Sequence, residues 1–522
     1  MIDLLLIRRV TFFIKKLCYN SRMKFSKEWL QSYIEEALPD DKVIDDILSK
    51  KAFELEGVEN FKYSKVESSN SSDNLESIIE DTVYDIKVLP NRHGDALSHY
   101  FMAKELCALF GFSLKPAFTP NPASPLVHLQ RGEGQMLGGS DFVKIENAND
   151  CPVFETVRIS GVDNRESPEW MKRRLAAIGQ KSINAIVDVT NYVQFAINKP
   201  LHSYDARNVK GGFIIRRARA GEKLMTLTGT TLDLDTDTLV IADQDNTLGL
   251  AGIKGGLASG VNDDTKDIII ESANFKSILI RKTSKKYNLR TDASKRFEAG
   301  QSDMLVPLGI DMAITLYKEI FGDNIVIGDR CRAGKISSWQ YKVGVSLKEI
   351  NEALGTSYNN KIIESTLNKY NFKYKKTTLA NAMQYHYEEL LGKPYQRDTS
   401  MRDDAPEKFS CSSLVSYLYL LGGVYMPSTV IDKYKFAKVI EESEVKPYDV
   451  IFLNSKVGIF RHETTDYMRG VKVLEDVDHV GIIFPNGEVL HASRYLNSSI
   501  LAEKNKKVNW KICFVKNITY FA

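Results

Sequence analysis

Strand-like and helical patterns alternate between residues 140 and 335. Runs rich in β-branched and apolar residues predict strands, as in GGFIIRRARAG, DTLVIAD and KDIIIES. Apolar residues at helical spacing predict helices among them, as in SPEWMKRRLAAIG and SDMLVPLGIDMAITLYKEIFG. The alternation predicts a mixed α/β domain over this region.

The sequences on either side predict further domains. Residues 23–139 show two amphipathic helical segments and then a strand, a turn and a helix, with a Ser-rich linker near 64–81. Residues 342–376 hold two amphipathic helical patterns. From residue 379 to 522 aromatic residues and short strand-like runs predominate, which predicts a separate domain. The expected fold class is α+β and multidomain.

Composition narrows the classes of protein to consider. The chain has 522 residues, of which 43% are hydrophobic and 26% charged, as in ordinary globular proteins of several domains. Its 70 basic residues nearly cancel its 67 acidic ones, and the net charge is +3. This balance excludes a polycationic nucleic-acid coat but allows local basic faces.

The cysteines indicate a reducing compartment without structural zinc. All six lie far apart, with no CxxC pair and no metal-ligand spacing, at Cys18, Cys107, Cys151, Cys331, Cys411 and Cys513. Basic residues interrupt the apolar run of residues 1–22, and no cleavage site follows, so we expect an extension before a natural start at Met23. No other segment approaches the roughly 20 apolar residues of a membrane span. We expect a cytoplasmic protein without membrane contact.

Several motifs of the first half occur together in one known family. They are MKFSKEWLQSYI, DIKVLPNRHGDALSHYFMAKEL, SINAIVDVTNYVQFAINKPLHSYDARNVKGG, LAGIKGGLASGVNDDTKDIIIESANF and NLRTDASKRFEAGQ. In this order they closely resemble the β subunit of bacterial phenylalanine-tRNA ligases. The resemblance implies an editing domain over residues 140–335, which hydrolyses tyrosine wrongly attached to the phenylalanine tRNA.

Such a second site has a physical reason. A pocket shaped for phenylalanine rejects an analogue with an added hydroxyl by only about 10²-fold, whereas a site that must hydrogen-bond the hydroxyl leaves phenylalanine unmatched. The resemblance implies Glu271 as the acceptor for the tyrosine hydroxyl and His202 as the residue that positions the ester or the attacking water. It also implies that Gly255, Thr291 and Ala293 line the amino-acid pocket.

One position departs from the family pattern. Lys181 stands where the family often carries arginine. Lysine keeps the positive charge but cannot make the two parallel hydrogen bonds of a guanidinium group, so we expect a weaker contact to the tRNA terminus or the substrate. Other interpretations of the motif residues stay open. His202 could be a hydrogen-bonded core histidine, and Glu271 could pair with Arg281 or Lys282. The glycines of IKGG could form a plain turn.

The resemblance stops after residues 342–376, which look like the start of a tRNA-associated helical domain. Nothing resembles an ATP-binding aminoacylation site, so we expect no amino-acid activation by this chain alone. The implied partners are tRNA(Phe) and a possible α subunit, through which alone ATP and magnesium would act. We expect no cofactor for editing.

Motifs of the last domain occur together in a second family. MQYHYEELLGKPYQR, FSCSSLVSYLYLLGG, EVKPYDVIFL and DHVGIIFPNGEVLHAS resemble the NlpC-type, papain-like cysteine peptidases. Cys411 begins a helical pattern, where the helix dipole is expected to lower the pKa of the thiol. The resemblance implies His479 as general base, His491 as its orienter and Tyr395 as a polar neighbour of the thiol. The substrate would be an unknown peptide or amide, and no cofactor is expected.

The two histidines allow a geometric test. A two-residue turn at Asn486-Gly487 would place His479 and His491 on opposite faces of a hairpin. A three-residue loop with Gly487 in the left-handed conformation would instead pair Gly481 with His491 and put both histidines on one face. The catalytic interpretation requires the second loop. Otherwise Cys411 is an inert buried cysteine beside two strand histidines.

We therefore predict a chain that binds tRNA and edits tyrosyl-tRNA(Phe), with an appended cysteine hydrolase domain. A second interpretation is a cysteine peptidase or amidase whose first half is an RNA-binding or scaffold module. A third is a rearranged chain that is inactive in one or both halves.

Overall fold

The computed structural model describes residues 22–66, 76–115, 142–336, 344–399, 401, 404–455, 461–465, 469–493, 500–504 and 513–515. These residues belong to two compact units, Met1–Ser338 and Trp339–Ala522. Each unit contains both helices and sheets, which confirms the α+β multidomain prediction. The predicted extension lies outside the described residues except for Arg22, which opens the first strand.

The first unit contains eight described α-helices and fourteen described strands. The helices are α1 (Lys27–Gln31), α2 (Asp41–Lys51), α3 (His99–Phe110), α4 (Glu169–Ala177), α5 (Ala185–Ile197), α6 (Ser277–Lys286), α7 (Asp292–Phe297) and α8 (Leu305–Phe321). The strands are β1 (Arg22–Ser26), β2 (Glu54–Val66), β3 (Glu76–Lys87), β4 (Val143–Ile145), β5 (Val153–Ser160), β6 (Leu201–Asp205), β7 (Phe213–Arg217), β8 (Lys223–Met225), β9 (Thr231–Asp233), β10 (Leu239–Ala242), β11 (Thr247–Leu250), β12 (Lys254–Gly255), β13 (Asp267–Asn274) and β14 (Val326–Gly334). The strands and helices predicted between residues 140 and 335 are confirmed.

The predicted Ser-rich linker is wrong at both of its ends. Strands β2 and β3 pair antiparallel from Glu54↔Lys87 to Val66↔Glu76, so residues 64–66 and 76–81 are strand. Ser, Asn and Asp are rare in strands, but ladder hydrogen bonds and cross-strand contacts override that weak preference. Residues 67–75 lie outside the described part of the chain.

The predicted boundary near residue 140 does not separate two compact units. Trp29 of α1 stacks between His99 of α3 and Tyr192 of α5, with ring centroids 3.9 and 4.4 Å apart respectively. The hydrophobic core continues from Met23 to Tyr317 and Phe321 of α8. Residues of the first region and of the region after 140 therefore share one core.

Two sheets build the region around the predicted editing site. One is antiparallel with strand order β14-β5-β13-β6, and the other has order β12-β11-β10-β7-β4, in which only β4 and β7 are parallel. Strands β8 and β9 form a separate hairpin. Helix α5 leads into β6: it begins where Asn184 accepts the backbone N–H of Val187 and ends at Asn198, whose φ is 65°. This left-handed end turns the chain into the strand that carries His202.

The second unit has five described α-helices and six described strands. The helices are α9 (Leu347–Leu354), α10 (Asn360–Lys369), α11 (Leu379–Leu390), α12 (Cys411–Leu421) and α13 (Val430–Phe436). The strands are β15 (Val439–Ile440), β16 (Val450–Leu453), β17 (His479–Ile483), β18 (Glu488–Ala492), β19 (Ile500–Lys504) and β20 (Cys513–Val515), in the sheet order β15-β20-β16-β17-β18-β19. Helix α12 packs against β17 and β18.

The two helices predicted in residues 342–376 are confirmed as α9 and α10. They belong to the same compact unit as the last domain, and the backbone N–H of Gly344 donates to Leu420 O of α12 at 2.8 Å. Among the residues that the structure describes, no helix is long and apolar enough to cross a membrane.

Candidate active sites

The first candidate site is a cavity of about 80 Å³ in the first unit. His202, Gly255, Glu271 and Ala293, four of the residues predicted for editing, line it together. The sheet explains the first pair, because His202 of β6 lies directly opposite Glu271 of β13.

Glu271 is buried and has an internal partner. The hydroxyl of Tyr204 donates to its Oε2 at 2.5 Å, and the charge that acts on Glu271 is that of Lys199 rather than of Arg281 or Lys282. Burial raises the pKa of Glu271 to about 7, against the opposing effects of the Tyr204 hydrogen bond and the Lys199 charge. Near neutral pH this carboxyl therefore interconverts between its charged and neutral forms.

His202 is not a hydrogen-bonded core histidine. Its Nε2 is buried and has no hydrogen-bond partner among the described residues. The ring stands edge-on to Tyr204, with centroids 4.5 Å apart. Burial, followed by the charge of Lys254, lowers the pKa of His202 to about 4. The imidazole is therefore neutral at neutral pH and presents an unused nitrogen.

Gly255 lies against the imidazole. A Cβ at this position would stand 2.6 Å from His202 Cε1 and 2.7 Å from His202 Nε2. Gly255 belongs to strand β12 and pairs with Gly249 of β11. It is therefore part of the cavity wall rather than of a plain turn, and only glycine leaves the ring where it is.

Thr291 lies next to the cavity lining, and its predicted place in the amino-acid pocket stays a prediction. Its hydroxyl accepts the backbone N–H of Ser294 as the N-cap of α7. The same hydroxyl donates to Ile253 O at 3.1 Å. Both contacts hold the start of α7 against the loop that contributes Ile253 to the cavity, so the hydroxyl is engaged in the scaffold.

Lys181 also lies outside the cavity lining. It is exposed in the segment between α4 and α5. The adjacent Gln180 reaches Asp292 of α7 with its amide at 3.5 Å. A role of Lys181 at the tRNA terminus stays a prediction.

Two buried residues of this site were missed from the sequence. Tyr204 follows His202 by two residues on β6, so strand periodicity could have placed both on one face. No pattern in the sequence pointed to Lys199. Its Nζ donates to Ala273 O and, at 3.2 Å, to Gln301 Oε1, and burial lowers the pKa of Lys199 to about 7.

The second candidate site is centred on Cys411 in the second unit. Cys411 is the first residue of α12, and Ser410 caps the helix reciprocally with Ser413. The backbone groups of Val480 of β17 and of Ser412 lie close enough to the sulfur to lower the pKa of the thiol. The sulfur therefore lies next to the strand that begins with His479.

The expected net lowering of the pKa of Cys411 is wrong. Burial raises the pKa of the thiol, and this outweighs the Lys433 charge and the nearby backbone groups of Val480 and Ser412, which lower it. The residue keeps part of its surface exposed while protein atoms enclose the sulfur. In the resting site the sulfur is thus predominantly a thiol.

The three-residue loop between β17 and β18 is confirmed. Gly487 has φ 78°, and the backbone N–H of Phe484 donates to Glu488 O at 2.8 Å. The register continues as Ile483↔Val489 and Ile482↔Leu490, which places Gly481 opposite His491. His479 and His491 therefore share one face, as the catalytic interpretation requires.

The two histidines form a hydrogen-bonded pair. His479 Nε2 and His491 Nδ1 are 3.0 Å apart, with the rings nearly perpendicular at 88°. Burial and the neighbouring His491 lower the pKa of His479 to about 3, against the opposing charge of Asp478. With Nε2 engaged by His491, Nδ1 of His479 is the nitrogen left for the thiol, as in a cysteine–histidine pair with an orienting group.

Tyr395 lies close to the start of the helix that carries the thiol. It forms a parallel bridge with Phe409, two residues before Cys411, and is partly buried against the same hydrophobic core. Its role as a polar neighbour stays a prediction. In the part of the chain that the structure describes, no group of three His, Cys, Asp or Glu side chains is placed to hold a metal ion.

Two family models match separate parts of the chain. Residues 150–322 match the B3/4 domain, and residues 392–517 match the NlpC/P60 family. The first match contains the cavity, and the second contains Cys411, His479 and His491.

Curated relatives match the first part. The phenylalanine–tRNA ligase beta subunit of Corynebacterium glutamicum is 35% identical over 283 residues, which are 54% of this chain and 33% of that protein. The beta subunit of Aquifex aeolicus is 40% identical over 245 residues, 47% of this chain and 30% of that protein. The chain thus spans about a third of the length of these relatives.

Among solved structures, NlpC1 from Trichomonas vaginalis matches with 19% identity and a TM-score of 0.21, covering 28% of this chain and 46% of that one. The family and sequence matches confirm both predicted resemblances: a region similar to phenylalanine–tRNA ligase beta subunits with a B3/4 domain precedes an NlpC/P60 domain.

Proposed function

We propose that the first unit hydrolyses tyrosyl-tRNA(Phe) at the cavity of His202 and Glu271. The observation that carries the proposal is that four residues from three separate motifs, His202, Gly255, Glu271 and Ala293, line one cavity. A buried carboxyl opposite a neutral histidine with an unused nitrogen suits an ester substrate that carries a phenol.

Glu271 supplies the selectivity. Its ionised carboxylate has oxygens for more than one donor, so it can accept the substrate phenol while Tyr204 occupies Oε2. Phenylalanine would leave this buried carboxylate without that hydrogen bond, at a cost of about 1–3 kcal/mol or more for a charged group. The site therefore favours tyrosine over the cognate amino acid.

His202 holds the water. Its neutral imidazole can accept a hydrogen bond at Nε2, which has no other partner among the described residues. The water oxygen adds to the ester carbonyl carbon, the bond from that carbon to the ribose oxygen breaks, and the ribose oxygen takes a proton. The products are tyrosine and the free tRNA terminus.

A basic face beside the cavity suits tRNA. Helix α6 exposes Arg281, Lys282, Lys285 and Lys286. It packs against α7, which contributes Ala293 to the cavity. Exposed cations in this number attract a phosphate backbone.

We further propose a cytoplasmic location and docking of an α subunit, which would supply any ATP and magnesium chemistry.

The test is hydrolysis of tyrosyl-tRNA(Phe) by the purified full chain. We expect release of tyrosine by the wild type and by Cys411→Ala, and loss of at least tenfold in His202→Ala. If His202→Ala released tyrosine as fast as the wild type, the role of the cavity would be refuted. Binding of tRNA without any hydrolysis would favour the alternative of an RNA-binding or scaffold module.

The second unit supports a second activity, hydrolysis of a peptide or acyl amide. The hydrogen-bonded His479–His491 pair beside Cys411 favours it. His479 takes the thiol proton as the sulfur attacks the amide carbonyl, then gives it to the leaving amine, and water hydrolyses the thioester. A library of peptide amides, assayed with wild type, Cys411→Ala and His479→Ala, tests this: cleavage that survives both substitutions would exclude it.

A further inference from the structure

Lys433 is buried directly behind the first turn of α12. Its side chain is 0% exposed, although lysine is one of the residues least often buried. The Nζ atom donates to Ser412 Oγ at 2.6 Å, to Pro427 O, and to Ser428 O at 3.3 Å.

Ser412 connects Lys433 to the thiol. It follows Cys411 on the first turn of α12, and its hydroxyl donates to Ser428 O while accepting from Lys433. This arrangement fixes the ammonium within the protein beside the residue that carries the sulfur. The Lys433 charge is the largest of the influences that favour the thiolate of Cys411.

The other groups that face the sulfur do not replace this charge. His479 and His491 form a pair in which His479 is neutral, because burial lowers its pKa to about 3. Asp478, which precedes β17, carries a negative charge that opposes a thiolate. Its carboxylate accepts the backbone N–H and the hydroxyl of Ser455. Lys433 is therefore the cationic side chain of the described site.

We propose that Lys433 is a positioning residue whose buried ammonium, held by Ser412, is a fixed positive charge that activates the Cys411 sulfur as a nucleophile. The inference rests on the proposed thiol chemistry of the second unit. It gives a physical reason for a buried lysine, since an ammonium removed from water is costly unless nearby groups stabilise it. A buried charge is also screened little by salt.

The experiment measures how fast iodoacetamide alkylates Cys411 as a function of pH, in the full chain. Peptide-level mass spectrometry separates Cys411 from the other cysteines. In Lys433→Met, which has a similar volume and no charge, we expect the midpoint of the pH profile to rise by at least one unit, as for loss of a nearby opposite charge. At pH 7 the alkylation rate should fall about threefold for each unit by which the pKa rises. The fraction of thiolate falls, and the greater nucleophilicity of a more basic thiolate offsets part of that loss.

Matched variants separate charge from packing. Lys435→Met, an exposed lysine of the same helix, should leave the profile unchanged. Lys433→Arg keeps the charge and should stay within half a unit of the wild type. If Lys433→Met does not fold, Lys433→Gln is used, and the wild-type profile is compared at 0.05 and 1 M salt. A buried charge predicts nearly coincident profiles, and a strong salt dependence would overturn the proposal.

The outcomes distinguish the two levels of inference. If the wild-type sulfur reacts and Lys433→Met shows the same midpoint, Lys433 is a structural lysine and this inference is refuted while the thiol chemistry stands. If wild-type Cys411 is not alkylated in the folded chain at any pH, the proposed thiol activity and the role of Lys433 are refuted together.

Discussion

Replacing Gly255 by alanine should displace the imidazole of His202. Carbon atoms in contact normally lie about 3.5–4.0 Å apart, and the new Cβ would stand 2.6 Å from His202 Cε1 and 3.1 Å from Leu227 Cδ1. The ring must therefore move by about 1 Å, or the strand must shift. A displacement of that size at a catalytic group can reduce the rate by about 10²-fold.

The same contact sets the expected change in stability. Overpacking a well-packed site costs about 1–3 kcal/mol, and the smaller entropy of the unfolded alanine chain offsets about 0.4–1 kcal/mol. Gly255→Ala should thus lower the free energy of unfolding by about 1–2 kcal/mol. Gly57→Ala is the matched control, because a Cβ at Gly57 would meet no atom within 4 Å.

Two assays check this reasoning. Urea unfolding measures the stability of Gly255→Ala, Gly57→Ala and wild type, and tyrosine release from tyrosyl-tRNA(Phe) measures the rate. We expect Gly255→Ala to be less stable and 10- to 100-fold slower, with Gly57→Ala close to wild type in both. Wild-type stability together with a wild-type rate in Gly255→Ala would show that the ring has room to move, and the argument for glycine would fail.

Three further predictions concern the charges of the first unit. The pKa of Glu271 is raised to about 7, so its carboxylate is ionised above pH 7 and neutral below it. The selectivity for the tyrosyl over the phenylalanyl ester should therefore fall about tenfold from pH 8 to pH 6, because a charged acceptor is worth about 1–1.5 kcal/mol more than a neutral one. In Glu271→Gln the selectivity should not change with pH. A selectivity that is flat in the wild type would contradict this role. The pKa of Lys199 is lowered from 10.5 to about 7, so its burial costs stability fully below pH 7 and progressively less as pH rises toward 10.5. The free energy of unfolding of Lys199→Met minus that of the wild type should accordingly decrease between pH 7 and 10, and a constant difference would exclude the shift. Neutralising Lys282 and Lys285 of α6 together should weaken tRNA binding and reduce the slope of log K against log salt by about 1.4–1.8, and an unchanged slope would place the tRNA elsewhere.

Local pattern predicted most of the elements. The apolar alternation of β13 and the helical spacing of α8 are confirmed, as is the three-residue loop before β18. These features depend on residues close together in the chain, where periodicity and glycine preferences act directly. The prediction of a Ser-rich linker was wrong at its ends because strand pairing, which composition does not encode, decided the structure there: β2 pairs with β3.

The sequence by itself determined which residues could carry the chemistry, because motif order and residue type identified His202, Glu271, Cys411 and His479 without coordinates. Tertiary structure decided which of them meet and in what state. Sheet register set His202 against Glu271, and both line one cavity. Burial reversed the direction of the pKa shift expected for Cys411. The packing of α13 against α12 brought the ammonium of Lys433 to Ser412, the residue next to Cys411. Such effects depend on desolvation by distant parts of the chain, which local spacing does not encode.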